Sequence, residues 1–260
     1  MNHHPLSSIH PEAIIGENVS IGAFVTIDKN VVIGDNTKIY PNAVILEGAR
    51  IGKNCQIFPG AVVSGVPQDL KFVGEETTCV IGDNTVIREC VTVNRGTAAK
   101  NITMVGDNCL LMAYAHVAHD CIIQNNVIIG NATQLAGEVE VDDFAILSGG
   151  TLVHQFTRVG KHVMVQGGSR VGKDIPPYIT AGRDPLTYSG ANVIGLRRRG
   201  FTNEQIGNIQ EIYRVLYQSG LNNSDAVKQI QANISDSEEK ESILSFVTSS
   251  QRGILRGYLE

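Results

Sequence analysis

The side chains best suited to chemistry fall in one short stretch of the sequence. His116, His119 and Asp120 occur within five residues, and Glu138 and His154 follow downstream. Imidazole titrates near neutral pH, so a histidine can accept a proton from a substrate or bind a metal ion. A neighbouring carboxylate can orient the ring and support its protonated form. These residues can act together only if the fold stacks distant segments on one face.

An aliphatic residue recurs at every sixth position along most of the chain. Of the 28 positions spaced by six from Ile9 to Val171, 25 are Ile, Val or Leu. A period of six matches neither an α-helix nor a coiled coil. A small or β-branched residue usually lies four positions after each aliphatic one, and Gly, Asp and Asn fill the turns between them. We therefore expect residues 9–171 to form a β-solenoid in which three hexads make one triangular coil of 18 residues.

The small inward column accounts for four of the five cysteines. Cys55, Cys79, Cys109 and Cys121 occupy it, whereas Cys90 does not. The four are predicted to be packed in the core as small hydrophobic groups rather than to bind metal or act as nucleophiles. The odd number of cysteines and the absence of a Cys-x-x-Cys motif argue against a disulfide framework, so we expect a reducing cytoplasm.

Register arithmetic places the candidate residues on one face of the solenoid. Residues 18 apart stack on neighbouring coils, so His119 should lie directly beneath Gly137. The same arithmetic stacks Asp120 beneath Glu138 and brings His154 near His119, two coils above. Histidines on a solenoid surface can be merely solvated, but this stacking favours a functional cluster.

Two segments interrupt the repeat. Ser64–Thr78 and Asn94–Met104 are polar and contain glycine or proline, and the repeat resumes in phase after each. Both are predicted to be loops extruded from the solenoid, and loops on a rigid scaffold often carry function.

Beyond Val171 the repeat stops at Pro176-Pro177, and from about residue 200 the pattern becomes helical. Thr202 and Gln205 form a capping-box pattern before the first helix. Helical spacing of apolar residues predicts a second helix that includes Ser224 and a third over 237–249.

Bulk properties exclude several classes of protein. The chain has 260 residues and a net charge of −5, which gives no electrostatic footprint for nucleic-acid binding. Its first ten residues lack the pattern of a signal peptide. No apolar run approaches the roughly 20 residues needed to span a bilayer.

The repeat is similar to that of the hexapeptide-repeat family, and several longer motifs narrow the resemblance. Together they resemble the UDP-N-acetylglucosamine 3-O-acyltransferase family over nearly the whole chain. The motifs are Gln68-Asp69-Leu70-Lys71, Asn94-Arg95-Gly96-Thr97, Ala115-His116-Val117-Ala118-His119-Asp120, Val153-His154-Gln155-Phe156, Pro176-Pro177-Tyr178 and Gly195-Leu196-Arg197-Arg198-Arg199-Gly200-Phe201.

The resemblance implies an all-β, left-handed parallel β-helix over residues 1–190 and an α-helical C-terminal domain over 191–260. It further implies a cytoplasmic homotrimer with active sites at subunit interfaces. That family transfers an (R)-3-hydroxyacyl group from acyl carrier protein to the 3-hydroxyl of UDP-N-acetylglucosamine, the first step of lipid A synthesis. It uses no metal or dissociable cofactor, because the phosphopantetheine thioester of the carrier protein is a substrate.

The resemblance also implies roles for individual residues. It makes His119 the general base, with Asp120 orienting the imidazole and the Gly137 N–H stabilising the oxyanion. Gly167 matches the position that measures the acyl chain, and a glycine there leaves the groove open for 14 carbons or more. The positions implied to contact substrate are Gln68, Asp69, Lys71, His116, Glu138, His154, Gln155, Asn192, Arg198 and Arg199.

Glu138 departs from the family pattern, which usually has a histidine at this position. Its carboxylate should stack above that of Asp120 at roughly 5 Å. Two carboxylates this close should raise the pKa of either Asp120 or Glu138 unless a cation lies between them. The repulsion between the two carboxylates would be avoided if Glu138 turned outward toward a lysine or arginine. The departure puts in doubt the substrate contact made at this position, but not the base.

Three alternatives remain at this point. His116, His119 and His154 could bind zinc, although the His-x4-His spacing of the hexapeptide-repeat γ-carbonic anhydrases is absent. An N-acyltransferase acting later on the 3-O-acylated amino sugar shares the solenoid but usually carries an extra N-terminal domain, whereas this repeat begins at Ile9. A non-catalytic solenoid predicts no histidine cluster.

Overall fold

The chain forms a left-handed parallel β-helix followed by short α-helices, as seen in a computed structural model that describes residues 2–257. Most strands have only two residues, because each hexad turns a corner after one short side. In chain order the strands are β1 (Asn2–His3), β2 (Ser8–Ile9), β3 (Ile14–Ile15), β4 (Ser20–Ile21), β5 (Thr26–Ile27), β6 (Val32–Ile33), β7 (Lys38–Ile39), β8 (Val44–Ile45), β9 (Ala49–Ile51), β10 (Gln56–Ile57), β11 (Val62–Gly65), β12 (Thr78–Ile81), β13 (Val86–Ile87), β14 (Thr92–Asn94), β15 (Ile102–Val105), β16 (Leu110–Leu111), β17 (His116–Val117), β18 (Ile122–Ile123), β19 (Ile128–Ile129), β20 (Gln134–Leu135), β21 (Glu140–Val141), β22 (Ile146–Leu147), β23 (Leu152–Val153), β24 (Arg158–Val159), β25 (Met164–Val165), β26 (Arg170–Val171), β27 (Ile179–Gly182) and β28 (Thr187–Ala191).

Three sheets form the sides of the triangular prism. The first runs β1-β4-β7-β10-β13-β16-β19-β22-β25-β27-β28, the second β2-β5-β8-β11-β14-β17-β20-β23-β26, and the third β24-β21-β18-β15-β12-β9-β6-β3. All pairs are parallel except β27 with β28. Three sides per coil confirm the architecture that the repeat predicts.

The strand register shows how the two loops fit into the repeat. Neighbouring strands usually pair residues 18 apart, as His116 does with Gln134. Across the first loop (66–77) the separation is 30, with Val62 opposite Thr92; across the second loop (95–101) it is 24, with Thr92 opposite His116. The loops therefore add two hexads and one hexad of length, and this is why the repeat keeps its phase.

Aliphatic side chains fill the prism at the positions that the repeat predicts. Ile45, Ile57 and Leu111 are fully buried, like nearly all of the aliphatic column from Val19 to Ile179. Burial of apolar surface at about 25 cal/mol per Å² is the main force that holds such a column together. Cys55, Cys79, Cys109 and Cys121 are buried among these side chains, as predicted, and Cys90 is exposed.

The β-helix extends beyond the repeat at both ends. β1 pairs with β4 in the usual register, so the first coil begins before Ile9. After Pro176-Pro177, β27 still pairs in parallel with β25, and β28 then turns back against β27. The hexad repeat stops at the prolines, but a strand can stack on the last coil without matching the hexad spacing.

Four helices follow the solenoid: α1 (Val193–Arg198), α2 (Asn203–Gln218), α3 (Asn223–Asn233) and α4 (Glu238–Ser249). The predicted capping box of α2 is present, with Thr202 and Gln205 each bonding the other's backbone N–H. The second predicted helix, which includes Ser224, is α3 and is capped by Asn222, and Ser237 caps α4. The hydroxyl of Tyr213 in α2 donates to the carbonyl of Pro177 at 2.6 Å and ties the helices to the last coil.

No helix within residues 2–257 combines the length and apolar character needed to cross a bilayer.

Candidate active site

His119 lies against the backbone of the coil above it. A Cβ atom built on Gly137 would come within 2.6 Å of both Cε1 and Nε2 of the imidazole. Only a residue without a side chain leaves room for the ring there. The stacking of His119 beneath Gly137 expected from the repeat is therefore present, and 11% of the His119 side chain remains exposed.

Asp120 turns its carboxylate toward the ring of its own sequence neighbour. Side chains of consecutive residues in a strand point to opposite faces, but Asp120 sits at a corner with φ = 60°. Its backbone N–H donates to Oγ1 of Thr103 at 2.8 Å. This left-handed corner lets Nδ1 of His119 lie 2.8 Å from Oδ2 of Asp120.

Four hydrogen bonds fill the acceptor sites of the Asp120 carboxylate. Oδ1 accepts from the backbone N–H groups of Thr97 at 3.0 Å and Lys100 at 3.1 Å. Oδ2 accepts from the hydroxyl of Thr97 at 2.6 Å and from His119. The side chain is fully buried, so without these donors a charge there would be strongly unfavourable.

The net effect is that the pKa of Asp120 is lowered. Burial alone would raise it, but the hydrogen bonds from Thr97, His119 and Lys100 together outweigh burial. The carboxylate that the repeat stacks beneath Glu138 is thus stabilised by donors from the second loop as well as by His119.

An ionised Asp120 decides which nitrogen of His119 carries the proton. A carboxylate can only accept, so Nδ1 must be the donor in this pair. Nε2 then presents a lone pair to the outside of the solenoid. Oδ2 of Asp69, on the first loop, lies 3.9 Å from Nε2, too far for a hydrogen bond and close enough to attract an imidazolium once it forms.

The two extruded loops are joined to each other beside His119. The side-chain amide of Asn94 donates to the carbonyl of Val66 at 3.1 Å, and the backbone N–H of Ala98 donates to Oε1 of Glu75 at 3.1 Å. These contacts hold the first loop, and Asp69 with it, near the ring. The loops thus contribute to both sides of the imidazole.

Two further histidines from the sequence cluster occupy different environments. His116 accepts or donates through Nδ1 to Oγ1 of Thr92 at 2.7 Å. Burial, and secondarily the nearby His119, lowers the pKa of His116, so it is neutral at pH 7. His154 is exposed, and its Nδ1 lies 3.1 Å from the carbonyl of Gln155. Within the described residues, neither a hydrogen bond nor an ion pair joins His154 to His119.

A second group of candidate residues lies around α1. Asn192 caps α1 by accepting from the Gly195 N–H, and its amide donates to the carbonyl of His162 at 2.9 Å. Arg199 donates to the carbonyl of Phe144 at 3.0 Å and stacks over that ring at 5.3 Å. Arg198 is exposed at the end of α1. The sequence does not predict this helix, because six residues are too short for a helical period to show.

An aromatic stack packs behind Asn192 and Arg199. The ring of His162 lies 4.9 Å from Phe144 and 5.6 Å from Tyr178, nearly parallel to both. Burial first, and then the cation of Arg199, lowers the pKa of His162 to about 4. It is therefore a neutral aromatic group at pH 7, packed against the Phe144 ring over which Arg199 lies.

Glu138 borders a cavity that extends to the end of α4. It lines this cavity of about 500 Å³ together with Lys100, Glu140, Arg158 and others. Lys100 and Arg158 both pair with Glu140, at 3.2 Å and 3.5 Å. Glu138 thus shares a cavity with two cations but, within the described residues, forms an ion pair with neither, and its outward turn stays a prediction.

The remaining predicted residues are spread around this region. Gln68 and Lys71 are exposed on the first loop, where the backbone N–H of Lys71 donates to Oδ1 of Asp69 at 2.9 Å. Gln155 is half-buried beside His154. Gly167 is exposed and lines a separate cavity of about 490 Å³.

Residues 2–257 contain no group of three or more His, Cys, Asp or Glu side chains arranged to hold a metal ion.

Thr97, Lys100 and Thr92 contact the catalytic candidates and are missed by reasoning from the repeat. Thr97 and Lys100 lie in the second loop, where no periodicity predicts their direction. Thr92 could have been found from the repeat. If the second loop is counted as one extra hexad, the residue paired with His116 on the coil below is Thr92.

Three family models match parts of the chain. The second domain of UDP N-acetylglucosamine O-acyltransferase matches residues 174–255. The six-repeat bacterial transferase hexapeptide matches 102–137, and the GMPPB C-terminal domain matches 3–104.

The chain is also similar over its whole length to curated and solved proteins. An acyl-[acyl-carrier-protein]–UDP-N-acetylglucosamine O-acyltransferase from Stenotrophomonas maltophilia is 45% identical over 97% of each chain. A UDP-N-acetylglucosamine acyltransferase structure from Bacteroides fragilis is 61% identical, covers 97% of this chain and 99% of its own, and superposes with a TM-score of 0.96. The corresponding Francisella novicida structure is 42% identical, covers 98% and 94%, and has a TM-score of 0.95.

Proposed function

Because the chain belongs to the acyl-[acyl-carrier-protein]–UDP-N-acetylglucosamine O-acyltransferase family, we propose that His119 is the general base of its reaction. The chain is an O-acyltransferase that moves an acyl group from acyl carrier protein to UDP-N-acetylglucosamine, the first step of lipid A synthesis. One observation carries the assignment of the base: Nδ1 of His119 is held 2.8 Å from a buried, ionised Asp120, which leaves Nε2 free to accept a proton.

The reaction begins with the sugar hydroxyl, which we take to be the 3-hydroxyl. An alcohol is a poor nucleophile at neutral pH, so Nε2 removes its proton as the oxygen attacks the thioester carbonyl of an (R)-3-hydroxyacyl group. Asp120 stabilises the imidazolium as it forms. Asp69, 3.9 Å from Nε2, adds a second negative charge beside it.

The carbonyl oxygen becomes negatively charged in the tetrahedral intermediate. Gly137 suits the role of oxyanion donor, because its backbone N–H donates no hydrogen bond within residues 2–257 and lies beside the imidazole. Collapse of the intermediate forms the ester and releases the phosphopantetheine thiolate. That thiolate takes the proton from the imidazolium, so the enzyme returns to its starting state without a cofactor.

The sugar nucleotide is proposed to bind through the residues around the loops and α1. Arg198 and Arg199 suit the diphosphate and uridine, since guanidinium groups bind phosphate in two-point contacts. Asp69, Lys71 and Gln68 border the reacting sugar. His116, neutral and held by Thr92, can donate from Nε2 to a sugar oxygen. The contacts assigned to Glu138, His154, Gln155 and Asn192 complete the proposed site.

We also propose a homotrimer with the site between subunits. In a single chain the first loop exposes three apolar side chains: Val66 at 56%, Leu70 at 103% and Val73 at 90% of their surface. Exposed apolar groups on an extruded loop favour a protein partner. The five free cysteines agree with a reducing cytoplasm.

The product of the reaction tests the proposed acceptor and donor. Purified protein is incubated with (R)-3-hydroxyacyl carrier protein and either UDP-N-acetylglucosamine or its 3-amino analogue, and each product is identified by mass spectrometry. An ester at the 3-oxygen, cleaved by mild base, is expected. Transfer only to a 3-amino sugar, giving a base-stable amide, would contradict the proposal.

A further inference from the structure

The second loop surrounds the carboxylate of Asp120 on the side opposite His119. Thr97 supplies two of its donors: the hydroxyl, 2.6 Å from Oδ2, and the backbone N–H, 3.0 Å from Oδ1. Lys100 supplies a third through its backbone N–H. Thr97 itself is only 7% exposed, so water does not compete for these contacts.

The loop that presents Thr97 is itself fixed on both sides. The Asn101 N–H donates to the carbonyl of Thr97 at 2.7 Å and closes the loop into one turn. The Gly96 N–H donates to the carbonyl of Thr78, and the buried hydroxyl of Thr77 donates to the carbonyl of Gly96 at 2.6 Å. Thr97 therefore cannot move away from Asp120 without breaking bonds to the neighbouring coil.

Oδ2 of Asp120 receives two hydrogens at once, one from the Thr97 hydroxyl and one from Nδ1 of His119. If the hydroxyl were absent, that buried oxygen would be left with the imidazole proton as its single donor. Hydrogen bonds to a charged acceptor contribute more than those to a neutral one. The hydroxyl thus favours the ion over the neutral acid in the position that faces His119.

We propose that Thr97 is a positioning residue for the acyl transfer: its hydroxyl holds the Asp120 carboxylate toward Nδ1 of His119, so that Nδ1 carries the proton of the neutral ring and the lone pair of the base lies on Nε2. This inference rests on the proposed role of His119. It adds a third member to the pair, arranged in the order Thr97, Asp120, His119, and gives the second loop a direct part in the chemistry.

A steady-state double-mutant cycle tests the proposal. Thr97→Val removes the hydroxyl but keeps the side-chain shape, and it should lower kcat roughly 10-fold to 100-fold, as for loss of one hydrogen bond to a charged group. KM for UDP-N-acetylglucosamine should not change. Thr97→Ser, which retains the hydroxyl, should stay within about 3-fold of the parent. In an Asp120→Ala background, Thr97→Val should have no further effect, because the group it acts through is gone.

Thr85→Val is the matched control. Thr85 is fully buried, and its hydroxyl donates to the carbonyl of Gly106 at 2.7 Å. It lies between β12 and β13, at a different corner of the prism from Asp120, which lies between β17 and β18. This variant should lose thermal stability as Thr97→Val does, but keep the parent kcat. If circular dichroism shows that Asp120→Ala does not fold, comparing kcat of Thr97→Val with kcat of Thr97→Ser still tests the role of the hydroxyl.

Three results would overturn the inference: parent kcat in Thr97→Val, an equal loss in Thr97→Ser, or an additive loss in the Asp120→Ala background. If one of these results is found and His119→Ala is inactive, the role of Thr97 is wrong but the role of His119 as base stands. Full activity in a folded His119→Ala variant would remove the base itself.

Discussion

His119 and Gly137 lie one coil apart, and the imidazole occupies the space that a Cβ atom at position 137 would need. The predicted contact, 2.6 Å to both Cε1 and Nε2, is far inside van der Waals distance. Gly137 has no positive φ, so its backbone would accept alanine if the ring were not there. The requirement for glycine at this position therefore comes from the site.

Gly137→Ala should accordingly displace the imidazole without unfolding the protein. We expect kcat to fall about 100-fold, the effect of moving a reacting group by about 1 Å, with little change in thermal stability. The measurement is steady-state transfer together with a melting curve. Gly172→Ala is the control, because a Cβ there meets no atom within 4 Å and the backbone is equally ordinary; if both variants behaved alike, the steric argument would be lost.

His119→Ala should remove the proton acceptor and lower kcat by roughly 10² to 10⁴, the usual contribution of a general base. Circular dichroism and gel filtration should match the parent, since the ring is not part of the prism core. Small imidazoles added to the assay should restore part of the rate. A folded variant with parent activity would show that the base lies elsewhere.

Gly167 should set a preference for long acyl chains. It is exposed beside a cavity of about 490 Å³, and a Cβ there would approach the carbonyl oxygen of Gly149 at 3.1 Å. On a panel of (R)-3-hydroxyacyl carrier proteins, the parent should be fastest with 14 carbons or more, and Gly167→Met should shift the optimum to shorter chains. Gly172→Met serves as the control on an open surface. A parent preference for 10 carbons would be incompatible with this role.

His162 should make the protein less stable as the pH falls. Burial, followed by the charges of Arg199 and Lys161, lowers its pKa to about 4 in the folded state, against about 6.5 when unfolded. Between pH 6.5 and 4, His162 is therefore protonated in the unfolded chain but neutral in the folded protein, and the free energy of unfolding decreases as the pH falls through this range. The loss amounts to about 3 kcal/mol.

His162→Phe keeps the stack with Phe144 and Tyr178 but cannot titrate. Urea unfolding at pH 7.5 and 4.5 should show a smaller loss of stability for this variant than for the parent. His10→Phe, which changes an exposed histidine, should keep the parent's dependence. An unchanged dependence in His162→Phe would assign the pH effect to other groups.

The solenoid and the position of His119 could be predicted from the sequence because both follow from one number, the period of six. Where no loop intervenes, a residue within the repeat has its neighbour 18 positions on, so the contact of His119 with Gly137 needs no further information. The strand at Ile179 breaks that spacing, and so the sequence misses it. The same holds for α1, which is shorter than two helical turns.

The environment of Asp120 could not be predicted in the same way. Register alone places it beside Glu138 and suggests two competing carboxylates. The outcome depends on Thr97 and Lys100, whose N–H groups point inward because of hydrogen bonds within the second loop. Such bonds depend on the conformation of seven irregular residues, and no periodic pattern encodes them.

The two loops differ from ordinary insertions in their length, which matches two sides and one side of the triangular coil. Only an insertion of six residues, or of a multiple of six, therefore leaves the core residues of the following coils facing inward. For engineering, this makes the corners before Val66 and Arg95 natural acceptor sites, where a new segment of six or twelve residues could replace the present one without altering any coil above it.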